Sequence, residues 1–206
     1  MDSHVTAVLD AYHERMEEES RTRHEATLAG LKDALRDRFM LAVGPDTGHL
    51  INILARSLAV PHILELGTSY GYSTIWLAEA AQASGGRVTT VELHDFKSAY
   101  ARERATRAGL SGHVDFRTGD AVDMIGEIPG GIDFVLLDLW KEFYLPCLEA
   151  FYPKLNPGAI IVADNIIHPG KEGALRYVEA VRAKPGMSSI LVPVGAGLEI
   201  SRFQPN

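Results

Sequence analysis

Short apolar stretches recur along this chain, and the segments between them change to a helical rhythm. Residues 62–66 (HILEL), 87–93 (RVTTVEL), 113–118 (HVDFRT), 132–139 (IDFVLLDL) and 159–163 (AIIVA) are apolar or β-branched runs of strand length. Between them, residues 72–83, 96–108 and 144–155 space their apolar positions as a helix does, and 171–183 follows in the same way. Glycines 109, 112, 119 and 158 punctuate the junctions. This alternation predicts an α/β, doubly wound, mostly parallel sheet with helices on both faces. Residues 189–194 and 198–203, parted by Gly195, Ala196 and Gly197, predict a carboxy-terminal antiparallel hairpin that brings the sheet to seven strands.

The amino-terminal part has a different texture. Residues 1–38 are charge-rich and helical in pattern, with Glu17 to Arg21 and Glu19 to Arg23 spaced as i,i+4 pairs. They are read as appended helices covering an edge or a site, and residues 39–206 as the core of a single domain. No repeat or low-complexity tract divides the chain.

Charge and cysteine content narrow the function. A net charge of −7 leaves no basic stripe to neutralise phosphates, so neither nucleic acid nor an anionic membrane is expected as partner. A small molecule is the expected partner, with the chain as monomer or homodimer. The start Met1-Asp2-Ser3-His4 offers neither the basic flank nor the apolar core of a signal peptide, and no apolar run reaches spanning length, which predicts a cytoplasmic protein. Cys147, the single cysteine, falls in an apolar helix and reads as core. The eight histidines show no zinc-binding spacing, and only His168 lies near the residues singled out next.

Candidate chemistry collects at strand ends. Asp138 and Lys141 close the fourth apolar run, and Asp164 and Asn165 close the fifth. Each acid alone is better explained by a cap or turn. Together they form a set of hard oxygen ligands beside an amine able to act as a base, and such ligands suit Mg²⁺ with positions left open for substrate oxygens. In an open α/β sheet, ligands bind outside the carboxyl ends of the strands, where these side chains can converge.

The first strand supplies a cofactor turn. Gly67 after the run ILEL permits a tight turn and close backbone approach, and helix amides near Ser73 are free to meet a carboxylate. The spacing is not the dinucleotide fingerprint. Glu92, ending the next strand, is placed to accept from both hydroxyls of a ribose. Glu65, flanked by Leu64 and Leu66, is costly in a buried strand unless paired, and the ammonium of an amino-acid-like cofactor would pair it. Ribose, ammonium and carboxylate partners together describe S-adenosylmethionine.

The stretches FVLLDLWKEFYLP, IIVADNIIHPG and ELGTSYGYS, with the closing GLEIS, resemble the magnesium-dependent catechol O-methyltransferases of the class I methyltransferase superfamily, over about residues 38–203. The resemblance implies an S-adenosylmethionine- and Mg²⁺-dependent enzyme that methylates one hydroxyl of a catechol-type diphenol. Asp138, Asp164 and Asn165 would hold the metal, and Lys141 would be the general base. Glu199 would accept from the second hydroxyl, while Phe39, Trp140 and Pro169 would wall the substrate, with Asn165 beside it. Val43, Glu65 and Ser73 would hold the methionine part of the cofactor, Glu92 the ribose, and Leu93 and Ala121 the adenine, with Gly67 and Asp138 alongside. Two positions depart from the catechol branch: Ala121 and Val122 replace a hydroxyl and a carboxamide side chain, and His168 precedes Pro169 where a small or sulfur-bearing residue is usual. Relatives acting on bulkier caffeoyl-type esters share the metal residues and the lysine and are the alternative. A nucleotide-cofactor dehydrogenase would explain Gly67 and Glu92 but leave Asp138, Asp164 and Asn165 without a purpose. A non-catalytic adenosylmethionine-binding protein would need no metal.

Overall fold

A computed structural model of the chain describes residues 1–30, 36–170 and 172–205. Its strands are β1 (His62–Leu66), β2 (Arg87–Glu92), β3 (Val114–Thr118), β4 (Ile132–Leu137), β5 (Leu155–Ala163), β6 (Met187–Val192) and β7 (Leu198–Phe203). They form one sheet in the order β3-β2-β1-β4-β5-β7-β6. The first five run parallel, and β7 is antiparallel to both β5 and β6. Strand order reverses between β1 and β4, which opens a crevice at their carboxyl ends.

Side chains alternate across the sheet, so each strand feeds two cores. Phe134 and Leu136 of β4 join one apolar cluster; Val135 and Leu137 join the other. The first is covered by α1 (Ser3–Leu28), α2 (Pro45–Arg56), α3 (Tyr72–Ser84) and α4 (Asp95–Arg107). The second is covered by α5 (Ala121–Glu127), α6 (Tyr144–Phe151) and α7 (Glu172–Ala183). Coverage on both faces explains why β1 is buried throughout.

Helices α2 and α5 are not among the expected elements. The buried face of α2 is Thr47, Gly48, Ile51, Asn52 and Ala55, with Leu50 and Leu54 packed beside it. Asn52 donates to Trp76 O at 2.8 Å and Glu79 Oε2 at 2.6 Å, and a Cβ on Gly48 would come within 2.4 Å of the Trp76 indole. The expected helix over 144–155 is shorter in the structure. Pro153 has no N–H to continue it, so α6 stops at Phe151, a 3-10 turn follows, and Leu155 opens β5 four residues before the expected start. Lys171, where the pattern begins the last helix, lies outside the described residues, as do residues 31–35 of the amino-terminal segment.

Helix α1 does more than cover an edge. Val5, Val8, Leu9 and Tyr12 are buried in the first core. Tyr12 donates to Tyr70 O at 2.5 Å. Both Glu19 oxygens, expected to pair with Arg23, accept the N–H groups of Met40 and Leu41 at 2.6 and 3.0 Å. The loop before α2 is thereby tied to α1.

Candidate functional site

Backbone pairing beyond the strand ends brings the acids together. Asp138 N–H donates to Leu66 O at 2.9 Å and Asp164 N–H to Leu137 O at 3.0 Å, so the two follow neighbouring strands at the same level. Burial raises the pKa of both carboxyls, and for Asp164 the facing Asp138 charge raises it further. Asp164 Oδ1 accepts Asn165 N–H at 2.6 Å, whereas Oδ2 is buried without a partner. Asn165 sits at φ 57°, a left-handed conformation that asparagine tolerates, and presents its Oδ1 to the same space.

Lys141 begins a 3-10 turn after β4 and is buried. Its Nζ donates to Leu139 O at 3.1 Å, to Asn165 Oδ1 at 2.9 Å and to the Tyr144 hydroxyl, and lies 3.7 Å from Asp138 Oδ1. Asp138, Lys141, Asp164 and Asn165 therefore meet at one point. Among the described residues no cluster of three or more His, Cys, Asp or Glu gathers for a metal. The set here is two carboxylates and an amide oxygen. A buried Asp164 with an orphaned oxygen, facing the charge of a partly buried Asp138, fits a small divalent cation that prefers oxygen.

The glycine turn lies across the crevice. Gly67 has φ 106°, and a Cβ there would stand 2.0 Å from Asp138 O, so only glycine permits β1 and β4 to end this close together. Gly71, also at positive φ, precedes α3 and provides no side-chain cap, which leaves the first-turn amides near the buried Ser73 available. Glu65 is completely buried. Its Oε2 accepts the Thr74 and Thr90 hydroxyls, each at 2.5 Å, while Oε1 has no partner. Burial pushes its carboxyl up to about 7 against the pull of these hydroxyls and of Ser73. An ammonium is the ligand group that fits an orphaned carboxylate oxygen in such a place. Glu92 is aimed by backbone amides: Ser69 N–H reaches Oε2 at 2.7 Å and His94 N–H reaches Oε1 at 3.0 Å.

The remaining predicted residues lie on separate elements. Leu93 is exposed at the end of β2, and Ala121 opens α5. Asp120, next to Ala121, caps α5 by accepting the N–H groups of Val122 and Asp123 at 2.8 and 3.3 Å. Val43 and Phe39 are buried in the loop before α2, which Ser69 Oγ holds by donating to Met40 O at 2.8 Å. Trp140 is half-buried and Pro169 exposed. Glu199 lies in β7 opposite Ala163 and is fully buried. Its two oxygens accept Arg182 Nε at 2.7 Å and a terminal guanidinium nitrogen at 3.0 Å. Arg182, Tyr144, Thr74 and Thr90 were not singled out in the sequence. Tyr144 stands one helical turn after Lys141, a spacing from which contact is readable, whereas the other three depend on tertiary placement.

A family model described as a methyltransferase domain matches residues 64–166. The chain is 37% identical over 135 residues to a catechol O-methyltransferase of Niastella koreensis, covering 64% of this chain and 61% of the relative. It is 33% identical over 186 residues to a probable O-methyltransferase of Mycobacterium tuberculosis, covering 85% and 78%. The solved O-methyltransferase from Bacillus cereus in complex with SAH has a TM-score of 0.73 at 27% identity, with 99% of this chain and 92% of that one covered. Against the bacterial catechol O-methyltransferases the chain spans about three-fifths of the relative's length.

Proposed function

Since this chain belongs to the class I S-adenosylmethionine-dependent O-methyltransferase family, we propose that it transfers the cofactor's methyl group to one hydroxyl of a catechol-type diphenol with the help of Mg²⁺. The observation that carries this reading is the pairing of a partly buried Asp138 with a buried Asp164 whose Oδ2 has no partner, beside Lys141 and across the crevice from the Gly67 turn.

Asp138, Asp164 and the Asn165 amide oxygen would hold the metal. Bound there, it would act as template and Lewis acid for two vicinal oxygens. Glu65 would bind the cofactor's ammonium, the free amides at the start of α3 would meet its carboxylate, and Glu92 would accept from its ribose hydroxyls. Lys141 Nζ would take the proton of the hydroxyl to be methylated, and S-adenosylmethionine, held by these residues, would supply the methyl group to that oxygen and leave as the thioether. Holding both reactants in line is worth up to ~7–11 kcal/mol relative to a free bimolecular encounter. Phe39, Trp140 and Pro169 would wall the substrate.

A bulkier diphenol, of the caffeoyl-ester kind, is the second reading. It is favoured by the Arg182 guanidinium on both Glu199 oxygens, which leaves that carboxylate little capacity for a small catechol's second hydroxyl. The protein incubated with S-adenosylmethionine, Mg²⁺ and a panel of catechols and caffeoyl thioesters, with mass detection of products, tests both. Turnover should stop with EDTA and return with Mg²⁺. Full turnover without metal would refute the metal-dependent mechanism. Catechols outpacing thioesters, with loss on Glu199→Ala, would select the first reading; the reverse ranking with Glu199→Ala unaffected would select the second.

A further inference from the structure

We propose that Tyr144 is a positioning residue for methyl transfer, its hydroxyl aiming the Lys141 amine at the substrate oxygen; this rests on Lys141 being the base. Tyr144 is completely buried at the start of α6. Its oxygen contacts Lys141 Nζ, Leu137 O at 2.9 Å and Asp164 O at 2.9 Å. A phenol has one proton to give, and both carbonyls can only accept. The phenol proton therefore goes to one carbonyl at a time, and the lysine donates to the phenol oxygen.

The consequence lies in the direction of the lone pair. A neutral amine keeps two N–H bonds and one lone pair. Tyr144 Oη and Leu139 O, both fixed to the protein frame, receive two donor directions of Nζ. The remaining direction is the one now directed to Asn165 Oδ1, on the side of Asp138 and Asp164 where a substrate oxygen would arrive. Leu137 precedes Asp138 in the chain, and Asp164 precedes Asn165. The same hydroxyl thus fixes the base relative to the backbone of both acid-bearing loops.

Tyr144→Phe removes the hydroxyl and keeps the ring. The expected result is a fall in kcat of roughly ten- to a hundred-fold, the scale that misplacing a reacting group by about 1 Å produces. KM for the best diphenol of the panel and the Kd for S-adenosylmethionine should stay within about twofold. Lys141→Ala should lose at least as much kcat, and adding Tyr144→Phe to it should cost nothing more. In the resting protein, acetylation of Lys141 by acetic anhydride, followed by peptide mass, should become several-fold faster in Tyr144→Phe. Wild-type kcat and acetylation in Tyr144→Phe, with Lys141→Ala inactive, would overturn the proposal while leaving Lys141 as the base. A parallel loss of kcat and cofactor affinity would overturn it in favour of a structural role. Substantial turnover in Lys141→Ala would overturn the reading of the base itself. If Tyr144→Phe does not fold, 3-fluorotyrosine at 144 keeps ring and hydroxyl but weakens the oxygen as acceptor; a lower kcat at constant KM supports the role, and an unchanged kcat refutes it.

Discussion

A carboxylate without water and with one idle oxygen is poorly stabilised until a cation arrives, and Glu65 is such a group. Its ordinary value of 4.5 rises to about 7 through burial. The folded protein therefore keeps a proton over a range where the unfolded chain has lost it. The favourable contribution is complete below about 4.5 and is lost as pH rises to about 7, a cost of about 3 kcal/mol at higher pH. A cofactor ammonium reverses the preference, since it binds the ionised form. Affinity for S-adenosylmethionine, measured by calorimetry, should fall as pH drops below about 7, approaching tenfold per unit. It should fall again above roughly pH 8, where the cofactor's own amino group deprotonates. Glu65→Gln should flatten the acid limb, and a flat wild-type limb would contradict the assignment. Asp164 gives the complementary case. Burial and the facing Asp138 charge oppose its ionisation, so Asp164→Asn should stabilise the metal-free protein by about 1 kcal/mol or more, a Tm rise of ~2–4 °C. The same change should abolish metal-dependent turnover. A lower melting temperature in EDTA at alkaline pH would show that the two acids do not repel. Residue chemistry of this kind was legible where it contradicted its surroundings, as an acid between leucines does. The hydroxyls around Glu65 were not, because Thr74 and Thr90 come from α3 and β2 and meet it only after folding.

At the scale of elements, the strands were readable because alternation across a sheet covered on both faces leaves long apolar runs, and β1 and β7 coincide with the expected segments. Their ends were less so: apolar character continues past Leu137 to Leu139, although strand pairing stops where the acids must turn into the crevice. Helix α2 was missed although Leu50, Ile51, Leu54 and Ala55 line one side of it; its contact with α3 through Gly48 and Asn52 is a matter of shape and hydrogen bonding that only the fold shows. Helix α1 carries an inference of its own. Glu19 reaches from it to the amides of Met40 and Leu41, and the same loop carries Phe39 and Val43 and is bonded from the other side by Ser69 of the glycine turn. We expect Glu19→Ala to free this loop without unfolding the core. Hydrogen exchange at residues 40 and 41 should speed up, and cofactor affinity should weaken several-fold, the size of losing a charge-assisted hydrogen bond. Unchanged exchange at these amides would mean that α1 covers the loop without ordering it.

The molecule as a whole brings two unfavourable arrangements to one crevice, the uncompensated Glu65 on β1 and the opposed Asp138 and Asp164 after β4 and β5. The place was legible as the carboxyl ends of the apolar runs, where an open parallel sheet binds ligands, whereas the reversal of strand order between β1 and β4 is seen only in the structure. The contact of Arg182 with Glu199 was not legible, since it is set by how α7 packs on the second face. Global stability should therefore report occupancy at each arrangement. A ligand at about a hundred times its Kd stabilises the folded state by roughly 2.7 kcal/mol. Mg²⁺ alone, without cofactor or diphenol, should raise the melting temperature, because it binds the ionised acids and compensates their repulsion. Burial holds both carboxyls above their ordinary value, so protons compete for the site at low pH. The Mg²⁺-induced shift should accordingly grow from about pH 6 to about pH 8. Asp164→Asn should erase it while leaving the stabilisation by S-adenosylmethionine intact. A Mg²⁺ shift that is independent of pH and survives Asp164→Asn would place the ion elsewhere on this acidic protein.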